Sequence, residues 1–171
     1  MKIIQVIPGF RLFQISGGSR ILLRKARIED VPQIRQLINI YARQEVMLPR
    51  AMGELYELVR DFYVIEEDNK IIACCALHVT WEDYAEILSL AVAPDKTRKG
   101  YGSRILEACL GEVPQLGIRH VVTLTYASGF FEHHGFKVVD KSILPHKLWS
   151  MCVNCPRFPD CDEIAMMKDM E

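Results

Sequence analysis

Leu88-Ser89-Leu90-Ala91-Val92-Ala93-Pro94-Asp95, followed at once by Lys96-Thr97-Arg98-Lys99-Gly100-Tyr101-Gly102-Ser103, decides how this chain is read. An apolar strand runs into Pro-Asp, crosses a short basic turn and enters a Gly-x-Gly that opens a helix predicted over 103–112. Glycines let the backbone turn tightly and approach a ligand closely, and the first N–H groups of the helix then point at that ligand. The helix dipole adds partial positive charge, and Arg98 and Lys99 add full charges. A diphosphate suits such a cradle. A Gly-x-Gly alone also marks ordinary turns. The third glycine of the dinucleotide fingerprint is absent, as is the Gly-Lys-Ser/Thr of a P-loop, so neither nucleotide class fits.

Outward from this segment, the chain alternates strands and helices. Ile21 to Ala26 reads as a strand, and Asp30 with Pro32 opens a helix carrying Val31, Ile34, Leu37, Ile38 and Tyr41 at helical spacing. A second helix is predicted over 53–60. Phe62 to Glu66 and Ile71 to Val79 read as strands joined by a Glu-Asp-Asn-Lys turn. Tyr84 to Val92 is the next strand, His120 to Leu124 another, Ser128 to His134 a short helix and Lys137 to Val139 a final strand. The order predicts an α/β fold (mixed α+β), a mixed central sheet flanked by helices, with an antiparallel first half and a crossover second half. Residues 1–20 end in Ser-Gly-Gly-Ser and read as an N-terminal extension, an appendage or flexible lead-in, residues 21–150 as the domain, and residues 151–171 as a cysteine-containing tail packed on it.

Composition narrows the function classes. The 171 residues suffice for a proper core without covalent staples. Lys and Arg number 21 against 22 Asp and Glu, for a net charge of −1, so no nucleic-acid groove or anionic membrane surface is indicated. The apolar start Met1 to Ile7 is too short to span a bilayer and is broken by Pro8, Gly9 and Arg11. With no signal peptide, the 6 cysteines do not read as a disulfide framework, and Cys74-Cys75 sits in an apolar strand. A cytoplasmic protein is expected, with homodimerisation left open.

The strand ending Leu-Ala-Val-x-Pro and the following Gly-x-Gly resemble the coenzyme A pyrophosphate loop of the GNAT family of N-acetyltransferases. Thr97 stands where that family usually has Gln or Arg, a mild departure because most phosphate contacts there come from backbone N–H groups. The resemblance covers the chain from Arg24 to about Val139. It implies a single-domain GNAT fold and acetyl-CoA as cosubstrate, bound by Leu90, Ala91, Val92, Arg98, Lys99, Gly100, Tyr101, Gly102 and Ser103. Further blocks sharpen it: Leu48-Pro49-Arg50, Ala85-Glu86-Ile87, Gly135-Phe136 and Leu144-Pro145-His146-Lys147. With these the chain resembles, over roughly residues 22–170, the acetyltransferase domain of bacterial N-acetylglutamate synthases, above all the short stand-alone ones. That resemblance implies transfer of acetyl from acetyl-CoA to the α-amino group of L-glutamate within a ternary complex, the first step of arginine biosynthesis.

Such chemistry must hold two carboxylates, remove a proton from an ammonium and stabilise a thioester oxyanion. Arg50, with the planar fork suited to carboxylates, is a candidate acceptor ligand; its plain alternative is a solvated arginine. Lys147 is a second carboxylate partner or a surface lysine, and Ser89 completes the acceptor set. Glu86 lies among Ile87, Leu88 and Leu90, with residues 86, 88 and 90 on one face and 85, 87 and 89 on the other. A carboxylate in such surroundings reads as a general base acting through water, or as an acid paired with Arg50 or a lysine. The oxyanion donor is expected from a backbone N–H around Leu90 to Val92. The tyrosine that often protonates the leaving thiolate is replaced by Phe130-Phe131. Tyr126, one turn earlier, is the substitute, unless it is a plain rim aromatic. Cys152, Cys155 and Cys161, with His146 or Asp162, read as a zinc site or as free or redox-labile thiols. Transfer to another amino acid or amine, and a non-catalytic acetyl-CoA or metal-sensing module, remain as alternative functions.

Overall fold

In the β4–β5 hairpin, Phe62–Glu67 to Lys70–Trp81, the strands meet at Glu67 opposite Lys70, leaving only Asp68 and Asn69 in the turn. Both take left-handed backbone angles, φ 48° and 67°. Positive φ at both positions matches the twist of the flanking strands, and Asp and Asn tolerate it better than other non-glycine residues. The computed structural model describes residues 2–7, 10–14, 20–146, 155, 157 and 159–170, with backbone alone for the first two segments.

The chain is α/β and divides into two compact units, residues 1–77 with 88–111, and residues 78–87 with 112–171. In the first, β1 (Lys2–Ile7), β2 (Phe10–Gln14) and β3 (Arg20–Lys25) precede α1 (Val31–Ala42) and α2 (Met52–Glu57). The strand order is β1-β2-β3-β4-β5-β6, with β6 spanning Tyr84–Val92, and α3 (Tyr101–Glu112) follows. Each pair from β1 to β5 is antiparallel. Within the N-terminal extension, the described residues form strands rather than a flexible lead-in. Residues 2–7 and 10–14 are strands, and Phe10 to Gln14 pairs with Arg24 to Arg20 in unbroken register. β1 pairs with β2, and β2 with β3, which the Gly-Gly-Ser composition conceals.

The helical spacing in α1 does what it predicts: Val31, Ile34, Leu37 and Ile38 are buried. Its entry is fastened by a charged cluster. The Arg24 guanidinium, 4% exposed, donates to Asp30 at 2.8 Å and to Glu66 at 2.7 Å, and the Arg27 N–H donates to Asp30 at 2.7 Å. Burial would raise the Asp30 carboxyl; the Arg24 hydrogen bonds and the Arg27 N–H outweigh it and hold the group below its ordinary 3.8. A depressed carboxyl contributes stability above its unfolded value and loses it as pH falls through the folded one. Wild-type protein should therefore lose this contribution below about pH 3.8. Asp30→Ala leaves Arg24 partly uncompensated and should lower stability by about 3 kcal/mol, a Tm fall of roughly 6–12 °C by calorimetry.

In the second unit the order is β6-β7-β9-β8, with β7 His120–Thr125, β8 Lys137–Val138, β9 Ile164–Asp169 and the short α4 Ser128–His133. β7 runs parallel to β6, and β9 antiparallel to both β7 and β8. Parallel neighbours need a crossover, and the chain between them contains α3. Val122, Leu144 and Ala165 form the core here, packed by Tyr84, Leu124, Val139 and Met167. The tail thus supplies β9, a strand absent from the sequence reading, which ended the sheet at Val139. Among the described residues no helix is long and apolar enough to cross a membrane.

Candidate functional site

In the first unit, Leu88 to Val92 delivers the chain to the basic turn. The Ala93 N–H donates to the Ile72 carbonyl at 2.8 Å, which ends β6 against β5, and Pro94–Lys96 then forms a single 3-10 turn. Three side chains hold the turn. Lys96 pairs with Glu67 at the end of β4, the Thr97 hydroxyl donates to the Pro94 carbonyl at 3.0 Å, and the Lys99 ammonium to the Asp95 carbonyl at 3.0 Å. Arg98 and Gly100 both have positive φ, 58° and 82°. Left-handed residues within a tight turn are a backbone setting in which N–H groups can form an anion-binding concavity. A Cβ built on Gly100 meets nothing within 4 Å, so it is the positive φ, not crowding, that favours glycine there.

α3 starts at Tyr101, two residues earlier than the predicted start at 103. The Arg104 N–H donates to the Gly100 carbonyl at 3.1 Å, the first bond of the helix. Tyr101, Ile105, Leu106 and Cys109 are buried and fix the helix direction. The Tyr101 ring is thus core, with the Arg104 guanidinium 5.6 Å from its centroid, so the ring itself is withdrawn from the loop's exposed face. The loop's exposed cations and the helix N-terminus are of the kind that attract an anion. Arg98, Lys99 and Gly100 are exposed, with the helix N-terminus behind them.

The strand feeding the loop is distorted where sequence gave no sign. Ser89 has φ 52°, so the strict two-residue alternation expected from 85 to 90 stops there. Residues 85 to 88 are all buried, and Ser89 and Leu90 are partly exposed. Two side chains hold the distorted stretch by its carbonyls. The Cys74 thiol donates to Ser89 at 3.5 Å, and the Tyr41 hydroxyl donates to Val92. Burial pushes the Cys74 thiol up to about 12, so it remains a neutral donor at working pH. Neither residue was singled out as a site residue from sequence. Tyr41 read as one apolar position of a helix, and nothing local connects it with a residue 51 positions away.

Arg50 also lies in this unit, immediately before Ala51, the N-cap of α2. Its guanidinium forms an ion pair with Glu54, with side-chain exposures of 12% and 35%. The solvated-arginine alternative does not describe a guanidinium so far withdrawn from water.

The second unit carries the other candidates. Glu86 is 6% exposed, at the last registered pair of the parallel ladder, opposite Val122. The Thr123 hydroxyl donates to the neighbouring Ile87 carbonyl at 3.2 Å. Tyr126 donates its hydroxyl to Asp162, and Arg157 lies 5.5 Å from its ring centroid. Burial and then the Asp162 hydrogen bond raise the phenol and keep it protonated. Lys147 and Cys152 lie outside the described residues. The zinc expectation finds no support: among the described residues no three His, Cys, Asp or Glu side chains gather where they would hold a metal ion. Asp162, offered as a fourth ligand, is taken by Tyr126 and Arg157, while the Cys161 thiol faces Glu163 at 3.8 Å.

Comparison with known proteins agrees with this architecture. Residues 59–138 match the acetyltransferase (GNAT) domain. An uncharacterized N-acetyltransferase of Chlorobaculum tepidum is 37% identical over 148 residues, 86% of this chain and 96% of that protein. The chain belongs to the GNAT family of acetyltransferases and is an N-acetyltransferase. Within the family it is similar to the amino-acid acetyltransferase of Mycobacterium tuberculosis, 38% identical over 124 residues and 71% of each chain. Its fold is shared with N-acetylglutamate synthase from Neisseria gonorrhoeae complexed with coenzyme A and N-acetyl-glutamate. There the TM-score is 0.77 at 24% identity, over 88% of this chain and 35% of that one.

Proposed function

We propose that the protein transfers the acetyl group of acetyl-CoA to the α-amino group of L-glutamate, forming N-acetyl-L-glutamate for arginine biosynthesis. The observation that carries this reading is Arg50. A guanidinium withdrawn from solvent beside α2 is built to bind a carboxylate, in a chain similar to an amino-acid acetyltransferase. The coenzyme A and N-acetyl-glutamate bound by the Neisseria synthase support the same pair of ligands.

Acetyl-CoA supplies an acetyl group activated as a thioester. The N–H groups of Arg98, Lys99 and Gly100 and of the first turn of α3 hold its diphosphate, with the Arg98 and Lys99 charges adding attraction. Leu90 to Val92 furnish the N–H that stabilises the thioester oxygen as charge develops there, and Cys74 and Tyr41 hold that stretch by its carbonyls. Arg50 and Ser89, with Lys147, bind the acceptor. Glu86 removes a proton from the acceptor ammonium through water. The α-ammonium of a free amino acid titrates above the peptide N-terminal range of about 8, so near neutral pH a base must remove its proton.

For Tyr126 we assign a fastening role. A phenol raised by burial and by the carboxylate it donates to is a weak acid for a departing thiolate, and its proton already serves Asp162. The thiolate then takes its proton from solvent.

Arg50→Ala tests the acceptor assignment. Losing charge-assisted hydrogen bonds of about 1.5–3 kcal/mol should raise the KM for glutamate roughly ten- to a hundredfold. Acetyl-CoA affinity should hold. An unchanged glutamate KM in the folded variant would remove Arg50 from the acceptor site.

A further inference from the structure

The Arg50–Glu54 pair is poorly explained as a helix-stabilising contact. Arg50 precedes the N-cap of α2, where a cation meets the positive end of the helix dipole. Arginine four residues before glutamate is also the weaker order for a helical ion pair. The arginine is nonetheless the more buried partner, 12% exposed against 35% for Glu54. Among the described residues, Glu54 is the sole hydrogen-bond and ion-pair partner of Arg50, and it engages one terminal nitrogen, Nη1, through Oε1. Five N–H donors radiate from a guanidinium in a fixed plane. With Nη1 turned to Glu54, the edge formed by Nη2 and Nε remains for a ligand.

From this arrangement, and resting on the reading of Arg50 as an acceptor ligand, we infer that Glu54 is a specificity-determining residue. It tunes the site between acidic amino acids and amino acids with a carboxamide side chain. The pair as a whole is neutral. An acceptor carboxylate on the remaining edge of Arg50 gains two charge-assisted hydrogen bonds but stands beside the Glu54 carboxylate, and like charges at that range repel. A carboxamide meets no such opposition. Its oxygen accepts from Arg50, and its NH2 donates to the second oxygen of Glu54, so donor and acceptor are both matched. Glu54 thus weakens binding of a carboxylate without weakening that of an amide, a repulsive element of the kind that sets selectivity. Arg50 alone would favour the carboxylate far more strongly.

Initial rates with glutamate and with glutamine at saturating acetyl-CoA test this in the wild type, Glu54→Gln and Arg50→Ala, each checked for folding by thermal melting. Glu54→Gln keeps the shape and removes the charge. It should lower the KM for glutamate about fivefold or more, the scale of a like-charge contact at a half-exposed site, while the KM for glutamine holds or rises. A parallel rise of both KM values would show that Glu54 only braces Arg50, and would overturn the inference. So would unchanged KM values in Glu54→Gln when Arg50→Ala still raises the glutamate KM; the acceptor reading would then stand alone. Unchanged values in both variants would overturn the inference together with the acceptor reading.

Discussion

Glu86→Gln is expected to lower kcat about a hundred- to ten-thousandfold, the usual worth of a positioned general base, with acetyl-CoA affinity intact. The amide keeps the size of the side chain and its capacity for hydrogen bonds but cannot take up a proton. Glu86 is buried at the last registered pair of β6 with β7, where an acid without a task is seldom placed. The pH dependence separates base from structural acid. A variant without a base reacts only with acceptor that is already deprotonated, so the gap between wild type and variant should narrow as pH rises above the peptide α-amino range of about 8 towards the higher pKa of a free amino acid. A purely structural Glu86 predicts the reverse: a lower Tm, with kcat little changed and no narrowing of the gap.

Gly102→Asp should reduce acetyl-CoA affinity more than about a hundredfold in calorimetry, an effect of roughly 3 kcal/mol or more. Gly102 is the second residue of α3, behind the loop whose curl is set by Arg98 and Gly100. An aspartate in the first turn of a helix suits the dipole, so the fold should tolerate it. The same carboxylate would stand where the diphosphate needs N–H groups and positive potential. A folded variant with unaltered affinity would place the diphosphate elsewhere.

The elements legible in the sequence are those specified by neighbouring residues. β6 runs from Tyr84 to Val92 as its apolar run predicts, and Asp68-Asn69 makes the turn that its composition demands. α1 buries the apolar face read from its spacing. What escaped depends on partners far along the chain. Ile164 to Asp169 is a short apolar run after a cysteine- and proline-containing tail, and only pairing with β7 and β8 makes it a strand. β2 likewise owes its visibility to β3.

The site divides in the same way. Its anion loop is written in one contiguous segment, glycine and charge together. Glu86 stands out in the sequence as a carboxylate among apolar residues, whereas Arg50 is singled out by the family resemblance and its carboxylate-binding fork. The bend at Ser89 carries no glycine to announce it, and the Cys74 and Tyr41 contacts that hold it join β5 and α1 to β6. Glu54 carries no signal in the sequence, and only the fold pairs it with Arg50.

Release of coenzyme A thiol from acetyl-CoA, measured across a panel of amino acids, polyamines and peptide amines with the product identified by mass, tests the central claim most directly. The account predicts thiol release that depends on glutamate and matches N-acetyl-L-glutamate formed, with cationic amines far slower. Faster acetylation of a polyamine or a peptide amine than of glutamate, or no release with any acceptor, would contradict it.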